Sequence, residues 1–284
     1  MTLPAATSLP WLLLALPALA LVDLAKAVRW WELMGARRPD FARCLRALVA
    51  GQLANALIPL RAGEVVSVGL LKVEGGPLLA GGAALAGSKA LDALVLAAFA
   101  AWLIGDAALD RSRPVLILAA ALLLAGAAAA ILKPEWRRRL GSLPVARKLH
   151  VPALLEVTQA LREPRILAVV AGSVAIVWLA GLAANGLVLL GAGVSPSLPM
   201  MAGMLVAGYL TGVLPALPGR LGTFEAGIVL ALTSVGVGVP QALAAAVMLH
   251  VCQWCELGLL LAASLAWSRW AAPLRPAAAA CELP

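Results

Sequence analysis

Helix breakers and opposite charges sit together where this chain is most apolar. Residues 214–225 read Leu-Pro-Ala-Leu-Pro-Gly-Arg-Leu-Gly-Thr-Phe-Glu. Pro215 and Pro218 each interrupt a helix. Gly219 and Gly222 let backbone approach a ligand closely. Arg220 and Glu225 put charge where hydrocarbon is expected. An isolated ionisable residue at the centre of a spanning helix costs roughly 2.5–3.5 kcal/mol on insertion scales. Broken backbone at membrane depth persists only inside protein or beside a water-filled cavity. The stretch therefore reads as a functional site. A weaker copy lies at residues 55–64, with Asn55, Pro59, Arg61, Gly63 and Glu64. Two such breaks, in corresponding places of two halves, point to a transporter's binding site.

That argument needs a membrane, and composition supplies one. The chain is 284 residues long, 63% hydrophobic and 13% charged, against about 25% charged in soluble domains. Its apolar runs are long and rich in Ala, Leu, Val and Gly, which suits spanning helices and not an outer-membrane barrel. The net charge of +8 does not imply nucleic acid, because most Lys and Arg flank apolar runs and encode topology. The first apolar run reads as a retained helix, since no positive segment precedes it. Cys252 and Cys255 follow His250 in a C-x-x-C spacing, which raises a metal or redox site. No further ligands stand nearby in sequence, so they read as packing residues.

Taken in order, a first helix covers about residues 8–29, with Asp23 and Lys26 three apart on one face. Trp30, Trp31 and the arginines that follow mark a cytoplasmic interface, which puts the N-terminus outside. In residues 41–72, Pro59 leaves a second arm, from Gly63 to Leu71, of about 14 Å at 1.5 Å per residue. That is less than half a bilayer, so the expectation is a re-entrant hairpin entering from the cytoplasm and returning there. Residues 77–104 and 114–132 read as spans, the first carrying Lys89 and Asp92. Residues 133–165 form a basic cytoplasmic loop. They anchor topology and attract anionic inner-leaflet lipid, and residues 151–161 are patterned as a surface helix. Residues 166–190 span outward. Residues 200–237 form a second hairpin that opens outward, and residues 241–267, with Glu256 inside, return to the cytoplasm. The fold expected is an all-α polytopic membrane protein forming one transmembrane domain over residues 1–284. Its inverted-topology repeat pairs residues 8–132 with 166–268, and each half holds one re-entrant hairpin.

If the two tips meet, they assemble Asn55, Arg61, Glu64, Arg220 and Glu225 with Lys89 and Asp92 beside them. Half-helix N-termini at Gly63 and Gly222 add backbone donors, and arginine's planar fork suits phosphate. The chemistry on offer is recognition of an anionic or zwitterionic lipid headgroup. The alternative at the same residues is that Arg61–Glu64 and Arg220–Glu225 are internal ion pairs that only hold the tips together. No nucleotide-binding loop, dinucleotide fingerprint or metal motif is present, so neither an enzyme nor a cofactor or metal is expected. His150 and His250 read as structural. The leading function is a flippase- or scramblase-like translocator of a phosphate-bearing lipid, a phospholipid or a polyprenyl-phosphate-linked lipid, across a bacterial inner membrane. The alternatives are a membrane scaffold or accessory subunit for a lipid-modifying enzyme, or a lipid-linked glycosyltransferase. Partners expected are membrane lipid, and a second copy or a lipid-modifying enzyme.

At these residues the chain resembles a flippase-like integral membrane family that includes the transmembrane region of lysylphosphatidylglycerol synthases. The matching segments are Arg29-Trp30, Asn55-x-x-x-Pro59-x-Arg61-x-Gly63-Glu64, Lys89-x-x-Asp92 and Pro215-x-x-Pro218-Gly219-x-x-Gly222-x-x-Glu225. The resemblance covers roughly residues 20–265. Family members often carry Glu-Arg-x-x-Asp in the third segment, where this chain has Ser88-Lys89-Ala90-Leu91-Asp92. The resemblance implies a lipid flippase or scramblase-like role without fixing the lipid.

Overall fold

The computed structural model describes residues 5–57, 62–108, 160–212 and 218–271. All regular structure among them is helical. It comprises α1 (Ala5–Leu33), α2 (Phe41–Leu57), α3 (Gly63–Val73), α4 (Leu78–Ala108), α5 (Pro164–Gly191), α6 (Leu198–Thr211), α7 (Thr223–Thr233) and α8 (Val239–Ala271), with 3-10 turns at Gly35–Arg37 and Pro218–Arg220. The expected span at residues 114–132, the surface helix at 151–161 and nearly all of the basic loop lie outside the described residues.

Four of these helices, α1, α4, α5 and α8, are long and apolar enough to cross a membrane. A crossing needs about 20 apolar residues. The other four fall short, with 17 residues in α2, 11 in α3, 14 in α6 and 11 in α7. At 1.5 Å per residue, α3 and α7 are each about 16 Å long. The outer surface is apolar: Leu13, Leu21, Leu179, Leu230 and Leu259 are all exposed. In water such a surface would drive aggregation; against lipid it is the ordinary exterior.

The short helices pair. Glycine lets α2 and α3 touch backbone to backbone. A Cβ on Gly51 would lie 2.5 Å from the Gly63 carbonyl and would overlap the Ser67 side chain, and one on Gly63 would overlap the Gly51 carbonyl. Gly51 faces Gly63 and Ser67, and Asn55 faces Gly63, so the arms run antiparallel from the break. In the second pair, Gly227 on α7 meets Thr211 and Ala207 on α6, and Gly208 meets Phe224, again antiparallel. Both helix–break–helix units anticipated from the prolines are therefore present as helical hairpins.

Two apolar clusters put these hairpins at opposite ends of the bundle. One gathers Trp30 and Leu33 of α1, Leu48 of α2, Leu71 of α3, Leu85 of α4 and Ile166 at the start of α5. The other gathers Ala15 and Leu19 of α1, Val188 and Leu189 at the end of α5, Met204 of α6, and Phe224 and Ile228 of α7. Helices α1 and α5 run antiparallel along their lengths. Gly191 packs near Ser8 and Leu12, and Arg165 Nη2 lies 3.8 Å from Glu32 Oε1 at the other end. The first cluster's end is tied by polar contacts. Arg46 donates to both Glu74 oxygens at 2.7 Å, and Arg38 pairs with Glu32. The first hairpin thus has its open end pinned by a bidentate pair.

Candidate functional site

A cavity of about 230 Å³ is lined by residues of both hairpins. The first hairpin contributes Gln52, Asn55 and Glu64, and α4 contributes Lys89. The second hairpin contributes Tyr209, Gly212, Arg220 and Phe224. Asp23 and Lys26 enter from α1, Trp178 and Asn185 from α5, and Gln253, Trp254 and Glu256 from α8.

Arg220 is held there by unusual backbone. It is the one non-glycine residue with positive φ among the described residues, at 53°, between Gly219 at 81° and Gly222 at 82°. A left-handed conformation costs an L-residue about 1–2 kcal/mol, and such strain collects where a side chain must be aimed. Its carbonyl accepts from Thr223 Oγ1 at 3.1 Å, and its guanidinium carbon lies 5.2 Å from the Phe224 ring centre.

Glu225 stands behind this turn. Its Oε2 accepts from the Gly222 N–H at 2.7 Å, capping α7, and its Oε1 lies 2.5 Å from His250 Nδ1. His250 is buried and packs on Phe224, with ring centres 4.6 Å apart. The carboxylate expected either to bind ligand or to pair with Arg220 is thus engaged with His250 and with the backbone.

Asn55 clasps the first hairpin. Its Oδ1 accepts from Gly63 N–H at 2.8 Å, satisfying a free donor at the start of α3, and its Nδ2 donates to Glu64 Oε2 at 3.3 Å. Lys89 Nζ sits 3.5 Å from Glu64 Oε1, with the two side chains 54% and 34% exposed. Exposed pairs of this kind contribute about 0–1 kcal/mol, so a ligand displaces them at little cost.

Asp92 does not line the cavity. Both of its oxygens accept from Arg29 Nη2, at 2.8 and 2.7 Å, and Arg29 Nε donates to Ser88 Oγ at 2.8 Å. Arg29 is fully buried. Asp92 therefore joins α4 to α1. Ser88 is the donor's second anchor, which gives the departure from Glu-Arg-x-x-Asp a local role.

Of the residues expected at the site, the structure brings Asn55, Glu64, Lys89 and Arg220 to one cavity. Gly63, Pro218, Gly219 and Gly222 form the turns beside it. Pro59, Arg61 and Pro215 lie outside the described residues. The sequence reading missed Gln52, Trp178, Tyr209, Gln253 and Trp254, and did not connect Asp23, Lys26 or Glu256 to the site. A signal was present. Gln52 and Asn55, Asp23 and Lys26, and Gln253 and Glu256 are each polar pairs three apart in apolar helices, which puts both members on one face. With all groups ionised, the cavity holds three cations (Lys26, Lys89, Arg220) and three anions (Asp23, Glu64, Glu256). Its polar side chains are set against Leu19, Val22, Val177, Leu205 and Leu249. Such a site can take an anion on a basic group while an acidic neighbour balances the charge elsewhere. Among the described residues, no three His, Cys, Asp or Glu side chains are grouped to hold a metal ion. Cys252 is buried and Cys255 exposed, so the C-x-x-C pair is not presented on one buried face.

Neither the curated proteins nor the solved structures contain a match to this chain. The family model described as lysylphosphatidylglycerol synthase TM region matches residues 2–275. The match takes in both hairpins, all four long helices and every residue of the cavity, and it marks a membrane protein of lipid-related function. The chain belongs to the lysylphosphatidylglycerol synthase transmembrane-region family.

Proposed function

We propose that the protein translocates a phosphate-bearing lipid across a bacterial inner membrane as a flippase or scramblase, and that it is not an enzyme. The observation that carries this reading is the cavity lined by both helical hairpins, with Arg220 lining it from strained backbone. In this reading the hairpins are re-entrant, one from each side, and the two halves form an inverted repeat. Discontinuous helices of that kind place substrate sites near the membrane midplane. Arg220 and Lys89 receive the phosphate, Glu64 exchanges its weak hold on Lys89 for water or ligand, and the acyl chains remain against the apolar exterior.

The test is reconstitution. The purified protein is placed in vesicles with a headgroup-intact, acyl-labelled phospholipid, and the fraction reachable from outside is followed with time. Translocation that is faster than in protein-free vesicles, and slowed at least tenfold by Arg220→Gln, is the expected result. Mass spectrometry of lipid that co-purifies with the protein identifies the class. A protein that moves no lipid and instead co-purifies stoichiometrically with an enzyme would support the scaffold reading.

A further inference from the structure

We propose that Glu256 is a proton-binding site, and that a proton enters the cavity together with the lipid phosphate. This inference rests on the lipid reading above and adds a coupling ion to it.

Glu256 lies midway along α8, is 3% exposed and lines the cavity. Its Oε1 is buried without a hydrogen-bond partner among the described residues, as is Oε1 of Gln253 one turn earlier. A carboxylate is acceptor-only, whereas a protonated carboxyl is also a donor. A charged oxygen without a donor is among the costliest groups to bury. The neutral form of Glu256 is the one this wall of the cavity accommodates unaided.

The surrounding charges define when each form is favoured. From α1, Asp23 and Lys26 act on Glu256 electrostatically, and these two already pair with each other at 3.0 Å. From α2 and α5 come uncharged groups, Gln52 and Trp178. From α6 comes the Tyr209 phenol, which neighbours Lys26. On α7, Glu225 is engaged with His250 of α8, so neither group serves Glu256. Glu64, Lys89 and Arg220 complete the cavity's charges. Asp23, Lys26 and an ionised Glu256 therefore make a buried cluster of net charge −1, and protonation makes it neutral. A phosphate arriving in the same cavity adds a second negative charge, which an ionised Glu256 opposes and a neutral one does not. Proton and anion thus favour each other's binding, and linkage makes that coupling reciprocal. The sign follows: phosphate-bearing lipid binds more tightly as pH falls, and an inward or outward proton gradient drives lipid in the direction of proton flow. Ionisable side chains inside membrane spans serve as proton relays in pumps and transporters, and Glu256 fits that class by position.

The test counts protons. Dioctanoyl phosphatidylglycerol is titrated into detergent-solubilised protein by calorimetry in buffers of different ionisation enthalpy. Its phosphodiester keeps the same charge from weakly acidic to weakly alkaline pH, so the probe itself takes up no proton. At alkaline pH, where Glu256 is ionised before lipid arrives, about one proton taken up per lipid bound is expected, with affinity rising about tenfold per pH unit lowered there and levelling off at lower pH where the lipid-free protein already holds the proton. Infrared spectra should show a protonated carboxyl band in the lipid-bound protein. Glu256→Gln should lose both the uptake and the band and bind with a flat pH profile, while Glu256→Asp should retain uptake. Lipid binding without proton uptake at any pH up to the alkaline end would overturn the coupling and leave the lipid reading intact. Uptake that persists in Glu256→Gln would overturn the assignment to this residue. Failure of the wild-type protein to bind the probe or any other phosphate-bearing lipid would remove the lipid reading and this inference with it.

Discussion

Arg29 and Asp92 form a fully buried, two-oxygen ion pair between α1 and α4, and its energetics differ from those of the cavity charges. Removing one partner of such a pair leaves an uncompensated charge in low dielectric, a loss of about 3–5 kcal/mol. Asp92→Ala should therefore lower the melting temperature in detergent strongly, and Arg29→Met with Asp92→Leu should recover much of that loss. If Asp92 instead served the ligand, Asp92→Ala would weaken lipid binding and leave the melt unchanged. Arg220 should behave in the opposite way. A charge-assisted hydrogen bond contributes about 1.5–3 kcal/mol, so Arg220→Gln should weaken lipid binding roughly ten- to a hundredfold. It should not unfold the protein, because Glu225 keeps His250 and the Gly222 N–H as partners. Melting and lipid titration on the same preparation separate the two outcomes. At this scale the sequence was legible in part. Arg220, Glu64, Lys89 and Asn55 stood out because charge and amide groups are rare in apolar runs. Asp92 and Glu225 stood out for the same reason, yet their partners, Arg29 and His250, lie 63 and 25 residues away. Spacing along one helix says nothing about a partner on another.

The hairpins depend on glycine at the seams between arms. Gly63 is in backbone contact with Gly51, and a Cβ there would overlap both the Gly51 carbonyl and the Asn55 side chain. Neither neighbour can move without parting the arms or breaking the Asn55 clasp. Gly63→Ala should cost about 1–3 kcal/mol, as overpacking does, and should disturb the cavity that Asn55 and Glu64 line. Gly69 lies on the same helix with nothing within 4 Å of its Cβ position. Gly69→Ala should be neutral or stabilise by up to about 1 kcal/mol, the ordinary gain of replacing helical glycine. Thermal melts of the two variants test whether the seam, and not glycine content in general, holds the element together. The paired arms themselves were legible, since α2 and α3, and likewise α6 and α7, are separate helices on either side of the proline-containing stretches. The seams were not. Gly51 and Gly227 look like any other small residue until the antiparallel register brings Ser67 and Thr211 against them.

Across the whole molecule, arithmetic on length gives five spans and four short arms, and the described residues hold four of those spans and all four arms, because 1.5 Å per residue and a hydrocarbon core of about 30 Å leave few choices. What lengths alone do not fix is which way the short pairs face. The two apolar clusters put the open end of the first hairpin beside Trp30, Leu33 and Ile166, and that of the second beside Ala15, Leu189 and Ala192. Arginines surround the first end, with Arg38, Arg43 and Arg46 engaged there with Glu32, Asp40 and Glu74. The turn at residues 192–197, beside the second end, carries no charge. By the positive-inside rule the first end is expected on the cytoplasmic side. A re-entrant hairpin has both of its ends on one side, whereas a single crossing interrupted at its middle does not. Asp40 precedes α2 and Val73 closes α3, and both are exposed; Ser195 precedes α6 and Val235 follows α7, and both are exposed. In a background with the native cysteines replaced, single cysteines at Asp40 and Val73 should both resist a membrane-impermeant thiol reagent in intact cells and react once the membrane is opened. Cysteines at Ser195 and Val235 should both react from outside. If Asp40 and Val73 label from opposite sides, α2 and α3 cross the membrane between them and the hairpin is not re-entrant. If both pairs label from the same side, the hairpins are not inverted, and the inverted-repeat reading fails. The expected pattern, one pair inside and one pair outside, gives the cavity two closures facing opposite compartments. Opening them in turn is what alternating access to a single headgroup site requires.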